Sequence, residues 1–215
     1  MIICRAETDD GVNNPGGMGM LNVGIFLFHD LELLDFAGPY EVFSVSSELN
    51  DYRLFKVFTV TEDGKEIRSV NGLKVVPDFG FDNHPPIDIL VIPGGVGTKS
   101  EMNKSAVLEW VRKNYQASQF TFSVCSGARI LGRLGLLDNL ESVTHHEVIC
   151  QLREIAPLAV IKSDQRYTDN GKILTSAGIS AGIDLSLYMV EKLYGLDVKN
   201  KTIVYMEYGD WEKLQ

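Results

Sequence analysis

The chain has 215 residues, of which 45% are hydrophobic, with a formal net charge of −9 and a pI near 4.9. This length suits one large α/β domain better than two, and the acidic balance argues against a nucleic-acid-binding surface. No apolar run approaches the roughly 18–20 residues that a membrane-spanning helix needs, so we expect no membrane partner.

The first twenty residues differ from the rest of the chain. Acidic residues stand where a signal peptide needs cations, and a cluster of Asn, Pro and Gly is typical of a loop. We therefore predict an N-terminal extension over residues 1–20, followed by a single domain over residues 21–215.

Apolar runs and helical patterns alternate along residues 21–206. Strands are predicted over 21–28, 52–60, 87–92, 142–144 and 159–162, hairpins over 67–76 and 166–175, and helices over 40–49, 104–115, 147–155, 183–194 and 198–206. In the first helix, Pro39 is expected near the first turn. The alternation predicts an α/β fold whose mainly parallel sheet is covered by helices on both faces.

The most informative segment of the chain is residues 120–137, with the sequence FTFSVCSGARILGRLGLL. They begin as a buried strand and end as a helical pattern that Gly135 closes. Small residues lie at the corner between strand and helix, where Cys125 is the reactive side chain. This arrangement is the thiol counterpart of a nucleophile elbow.

Two interpretations of Cys125 are open on the local pattern alone. The start of the following helix would favour its thiolate, which would make Cys125 the most acidic and most reactive cysteine. The alternative is a structural cysteine buried in a tight turn. The total of three cysteines without a CxxC pair indicates reduced thiols and a cytoplasmic location.

Two further loops follow predicted strands and should reach the same sheet edge as Cys125. One carries Asp35 between apolar neighbours, so it is either a general acid or base with a raised pKa or a cap of the next helix. The other carries Gly94 and Gly95, whose N–H groups either stabilise a developing anion or only form a tight turn.

Five segments of the chain, in order, resemble the ThiJ/PfpI superfamily. They are LLDFAGPYEVF, DILVIPGGVGT, SVCSGARILGRLGLL, VTHH and ILTSAGISAGIDLSL, and the resemblance extends over about residues 22–208. It implies a flavodoxin-like, class I glutamine-amidotransferase-like sandwich. Within the superfamily the chain is most similar to isonitrile hydratases and to the sensor domains of some AraC-type regulators.

The resemblance also implies roles for individual residues. Cys125 corresponds to the nucleophile and Asp35 to its acid/base partner. Ser126 stands where isonitrile hydratases carry a catalytic Thr, and His145 matches a histidine often found near the cysteine. Peptidase-like members carry His at position 126 and glyoxalase members usually carry Glu at position 35, which disfavours both branches.

These observations predict an isonitrile-hydratase-like enzyme that acts on a small molecule without cofactor or metal, and the resemblance implies that it forms a homodimer. The alternatives are a ligand- or redox-sensing domain without turnover and another cysteine hydrolase or glyoxalase. His146 and Cys150 lie four residues apart on a predicted helix, but no further ligand has matching spacing, so a metal site is disfavoured.

Overall fold

The computed structural model describes residues 19–214. Seven strands form the central sheet, in the order β10-β11-β7-β6-β1-β2-β5. The strands within these described residues are β1 (Leu21–Phe26), β2 (Phe55–Thr61), β3 (Ile67–Arg68), β4 (Lys74–Val75), β5 (Phe79–Gly80), β6 (Ile89–Ile92), β7 (Phe120–Ser123), β8 (Glu141–Ser142), β9 (Val160–Ile161), β10 (Tyr167–Asp169) and β11 (Ile173–Ser176).

The central sheet is parallel except for the pairing of β10 with β11. Every residue of β6 and all but one residue of β1 are buried, as expected for strands that are covered on both faces. The predicted α/β class with a mainly parallel sheet is therefore confirmed.

Six of the seven helices described fall into two groups by their mutual contacts. The helices of the described residues are α1 (Leu33–Glu48), α2 (Thr98–Glu101), α3 (Ser105–Ala117), α4 (Ala128–Arg133), α5 (Ile149–Ile155), α6 (Ala181–Tyr194) and α7 (Leu196–Tyr205). One group is formed by α1, α6 and α7, while α4 contacts α2 and α5. None of these helices is long and apolar enough to cross a membrane.

The two predicted hairpins are present, and the structure adds two pairings that the sequence pattern did not indicate. The pairs β3–β4 and β10–β11 are antiparallel hairpins. The short strand β5 extends the edge of the central sheet beside β2, and β8 pairs with β9 in a separate two-stranded parallel sheet. The strands β8 and β9 overlap the predicted strands over 142–144 and 159–162, so only their pairing is new, whereas the two residues of β5 carry too little sequence pattern to be predicted.

The prediction for the start of α1 is wrong. The helix begins at Leu33 rather than near Pro39, which lies inside it. Glu32 precedes the helix in an extended conformation, and its N–H donates to the Gly94 carbonyl at 2.9 Å. A proline removes only one intrahelical hydrogen bond, so the surrounding packing can retain the helix on both sides of it. Asp35 therefore lies in the first turn of α1.

The predicted N-terminal extension falls almost entirely outside the described residues. Of residues 1–20, the structure describes only Gly19 and Met20. The extension and the single domain over 21–215 stay predictions.

Candidate active site

Four loops meet beyond the carboxyl ends of four adjacent strands. The order β11-β7-β6-β1 makes these strands neighbours, and all four are parallel. The loops after β1, β6, β7 and β11 lead to Asp35, Gly94, Cys125 and Ile179 respectively. Sequence-distant residues are thereby collected at one edge, where open α/β sheets place their ligand sites.

The predicted elbow at Cys125 is present. Strand β7 ends at Ser123, and Cys125 has a φ of 56°, a left-handed conformation that non-glycine residues rarely adopt. Hydrogen bonds hold this strained turn: the Cys125 N–H donates to the Ala177 carbonyl at 3.1 Å, and the Thr144 hydroxyl donates to the Cys125 carbonyl at 2.8 Å.

Two glycines allow the loops to approach each other this closely. A Cβ atom at Gly127 would lie 2.2 Å from the Ile92 carbonyl oxygen. A Cβ atom at Gly94 would lie 2.5 Å from the Ser126 nitrogen and 2.7 Å from Asp35 Oδ2. Both distances are shorter than van der Waals contact, so these positions require glycine for space.

Asp35 is fully buried and faces the elbow rather than capping a helix. Its Oδ2 accepts a hydrogen bond from the Gly94 N–H at 2.9 Å. Its Oδ1 is also buried and has no hydrogen-bond partner among residues 19–214. Burial raises the pKa of Asp35 to about 7, the Gly94 hydrogen bond opposes this shift, and the nearby Glu32 carboxylate adds to it.

The expectation of a stabilised Cys125 thiolate is wrong for the resting site. Burial and the charge of Asp35 raise the pKa of Cys125 to about 12. The N–H groups of Ile179 and Ser126, which favour the thiolate, offset these effects only in part. The reason is that the side chain of Cys125 is 7% exposed and lies beside another acid.

Cys125 and Asp35 therefore act as one titrating pair. Their pKa values of about 12 and about 7 mean that the pair holds a single proton over the intervening pH range. Transfer of this proton from the thiol to the carboxylate creates a nucleophilic thiolate and a carboxylic acid without changing the net charge of the site. This exchange requires no stable thiolate in the resting state.

Ser126 and the two glycines are brought together at the elbow, and the N–H groups of both glycines already have hydrogen-bond partners. The Gly94 N–H is used by Asp35, and the Gly95 N–H donates to Ser126 Oγ at 2.8 Å. The Ser126 hydroxyl in turn donates to the Gly95 carbonyl at 3.1 Å. These N–H groups position the acid and the hydroxyl, so the predicted anion-binding role of Gly94 and Gly95 is not what the resting geometry supports.

A cavity of about 250 Å³ opens onto Cys125 and Ser126. His145 lines it, and the His145 Nδ1 accepts the Glu147 N–H at 3.3 Å. His145 thus lies beside Cys125 and Ser126, and its role in binding stays a prediction. Asp35 does not line the cavity, because it has no exposed surface and lies behind Cys125.

Sequence reasoning missed three residues of the site. Ile179 directs its N–H toward Cys125, Thr144 holds the elbow carbonyl, and Arg129 lines the cavity from the first turn of α4. Arg129 lies four residues after Cys125, a helical spacing that could have drawn attention to it. His146 and Cys150, which the sequence analysis considered as a pair of metal ligands, are both exposed.

Comparison with known proteins places this geometry in a family. The family model described as "DJ-1/PfpI family" matches residues 22–192. An isonitrile hydratase of Pseudomonas putida is 29% identical over 192 residues, which are 88% of this chain and 79% of that protein. The HTH-type transcriptional regulator GbdR of Pseudomonas aeruginosa is 26% identical over 184 residues, 86% of this chain and 50% of the regulator.

The fold has solved counterparts as well. The crystal structure of a ThiJ/PfpI family protein from Pseudomonas syringae superposes with a TM-score of 0.81 and 25% identity, covering 96% of this chain and 82% of that chain. Together with the match over residues 22–192, the sheet order and the cysteine elbow show that the chain belongs to the DJ-1/PfpI family.

Proposed function

We propose that this protein hydrates small isonitriles to N-substituted formamides through Cys125. The observation that carries the proposal is the fully buried Asp35, whose pKa of about 7 makes it able to take and return a proton at neutral pH beside an elbow thiol. The similarity to an isonitrile hydratase over 88% of this chain supports the same reaction.

In the first step, the thiol proton moves to Asp35, and Cys125 Sγ attacks the terminal isonitrile carbon. Asp35 then protonates that carbon, which gives a covalent thioimidate and returns Asp35 to a carboxylate. The proton is best carried by Asp35 Oδ1, which has no hydrogen-bond partner among the described residues, because Oδ2 already accepts the Gly94 N–H. The covalent intermediate divides a difficult hydration into two easier steps.

In the second step, Asp35 removes a proton from water, and the resulting hydroxide adds to the thioimidate carbon. The substrate nitrogen receives the proton from Asp35. Asp35 next takes the hydroxyl proton while the C–S bond breaks, which releases the formamide and leaves a Cys125 thiolate. Return of this proton from Asp35 to Sγ restores the resting pair of thiol and carboxylate. Ser126 Oγ accepts the Gly95 N–H with one lone pair, so its second lone pair can accept a hydrogen bond from the water and orient it.

The dimensions of the site favour a slender substrate. A cavity of about 250 Å³ is below the range of about 300–1,000 Å³ that is usual for drug-sized ligands. Because Asp35 is fully buried, only atoms that lie close to Sγ can come near its carboxyl group. The terminal carbon of a linear isonitrile is such an atom.

Formamide production from cyclohexyl isocyanide, followed by chromatography, tests the proposal. Wild-type protein should turn the substrate over, and Cys125→Ser should abolish turnover because an alkoxide forms far less readily than a thiolate near neutral pH. Cys150→Ser is the matched control, since it removes an exposed thiol and should leave the rate unchanged. Turnover that survives Cys125→Ser would contradict the covalent mechanism.

A ligand-sensing role without turnover is the second candidate. The Cys125 pKa of about 12 favours it, since a resting thiol reacts slowly. The match to half the length of a transcriptional regulator also favours it. Folded, reduced protein that produces no formamide from several isonitriles would exclude the hydratase and support this role.

A further inference from the structure

The guanidinium group of Arg129 is an unusual feature of the cavity. The residue is only 6% exposed, yet Arg is rarely buried without a charged partner. Its Nη1 donates to the Thr98 hydroxyl at 2.8 Å, and that hydroxyl donates to the Gly95 carbonyl at 2.7 Å. The side chain is thus held in place by the loop that also positions Ser126.

The charge of Arg129 is not neutralised within the described part of the chain. None of the ion pairs among residues 19–214 includes Arg129. Its Nε is buried and has no hydrogen-bond partner there. An unpaired buried charge and an unsatisfied buried donor both destabilise a fold, so their presence indicates a group that arrives from outside.

Arg129 is placed to meet that group at the reacting thiol. It lines the same cavity as Cys125 and Ser126, one helical turn after the elbow. The planar fork of a guanidinium matches the two oxygens of a carboxylate, a pairing that gives short and strong hydrogen bonds.

We infer that the cavity accepts a small molecule bearing a carboxylate, with Arg129 as the residue that determines this specificity. The identity of the substrates rests on the proposed function: if the protein hydrates isonitriles, its substrates are isonitriles that carry a carboxylate, as those derived from amino acids do. Hydration of isocyanoacetate would then give N-formylglycine.

Other charges around the cavity do not supply the same interaction. Lys99 is an exposed cation that lines it, together with the exposed carboxylate of Glu147 and the half-buried carboxylate of Glu32, which would repel an anion. Exposed charges are screened by water and salt, whereas the buried guanidinium is screened much less. Specificity for an anion therefore depends on Arg129.

Alkylation of Cys125 by iodoacetate and by iodoacetamide tests the inference without requiring turnover. The two reagents have nearly the same size and differ in charge. Rates at Cys125 are measured by mass spectrometry of peptides, and the exposed Cys150 calibrates the two reagents in the same sample. The quantity compared between variants is the iodoacetate-to-iodoacetamide rate ratio at Cys125, divided by that at Cys150.

We expect Arg129→Met to lower this ratio about tenfold, which corresponds to about 1.4 kcal/mol. A general change in thiol reactivity affects both reagents and cancels in the ratio. Arg133→Met is the matched control, because Arg133 lies one turn later on α4 and is exposed, and the ratio should stay at its wild-type value. Arg129→Lys keeps a charge without the fork, so its ratio should be intermediate.

A ratio that is the same in wild type, Arg129→Met and Arg129→Lys would overturn the inference. If Arg129→Met does not fold, the comparison of wild type with Arg129→Lys decides the question in the same way.

A pair of isonitriles separates this inference from the proposed function. Potassium isocyanoacetate and methyl isocyanoacetate differ chiefly in the charge of the carboxyl group. Wild type should show about tenfold higher kcat/KM for the salt, and Arg129→Met should lose that preference while still hydrating the ester. Hydration of both compounds without preference would refute the carboxylate specificity alone. Hydration of neither, with a charge-dependent alkylation ratio, would refute the hydratase and retain the carboxylate site.

Discussion

At the level of single residues, Asp35 links function to stability. The folded protein keeps the Asp35 proton up to a pKa of about 7, whereas the ordinary value is 3.8. Between these values the folded state binds more protons than the unfolded state, so the free energy of unfolding should fall as the pH rises through this window. Above about pH 7, Asp35 is ionised in the folded state as well, so the free energy of unfolding has fallen by the full amount that burial of this carboxylate costs.

Asp35→Asn should therefore stabilise the protein at pH 8. The amide is neutral at every pH and can still accept the Gly94 N–H, so the variant should gain a few kcal/mol relative to wild type, on the order expected for a shift of about three pKa units. Urea unfolding at pH 4 and pH 8 measures this gain, which should almost vanish at pH 4.

The control for this prediction is Asp197→Asn, which makes the same change in the first turn of α7 at an exposed position. It should show no comparable gain at pH 8. A loss of stability in Asp35→Asn at both pH values would indicate that the carboxylate supports the fold.

Ser126 provides a second prediction at this scale. Ser126→Ala leaves the Gly95 N–H without its 2.8 Å partner, so it should cost about 1 kcal/mol of stability and slow formamide production. Ser126→Thr retains the hydroxyl and should keep more activity than Ser126→Ala. Kinetics with cyclohexyl isocyanide and thermal unfolding measure both effects, and equal activities would show that the hydroxyl takes no part.

At the level of elements, the loop after β6 fits between the loop after β1 and the elbow after β7. The Glu32 N–H donates to the Gly94 carbonyl at 2.9 Å, and the Gly94 N–H donates to Asp35. The pairing of β6 with both β1 and β7 brings these loops together. The relative position of acid and thiol thus depends on the backbone of this loop.

Gly94→Ala should disturb that position. Its Cβ would lie 2.5 Å from the Ser126 nitrogen, so the loops would have to separate, with a loss of about 1–3 kcal/mol. Formamide production should fall as well. Gly19→Ala is the control, because a Cβ there meets nothing within 4 Å. Wild-type stability and activity in Gly94→Ala would contradict the close packing.

At the level of the whole molecule, the charge of the chain restricts its partners. A net charge of −9 repels the phosphate backbone of nucleic acids. We expect this chain to give no mobility shift with duplex DNA at physiological salt. A shift that weakens as salt increases would contradict the prediction and would favour the regulatory candidate.

The sequence by itself determined the fold class and the position of the elbow cysteine. Buried runs such as 89–92 and the alternation of strands and helices require a covered parallel sheet, because such strands must be buried on both faces. The small residues around Cys125 indicated the elbow for a local reason, since a sharp turn leaves no room for larger side chains. Asp35, Ser126 and His145 were candidates before the structure, the last two through family resemblance.

Only the tertiary structure decided how these residues act. The pKa values of Cys125 and Asp35 depend on burial and on each other's charge, which arise when sequence-distant loops meet. The start of α1 depended on contacts with the Gly94 loop that outweigh the local preference of Pro39. The sequence pattern around Arg129 is that of an ordinary helix residue. Its unpaired charge becomes apparent only because the packed structure buries it beside the thiol.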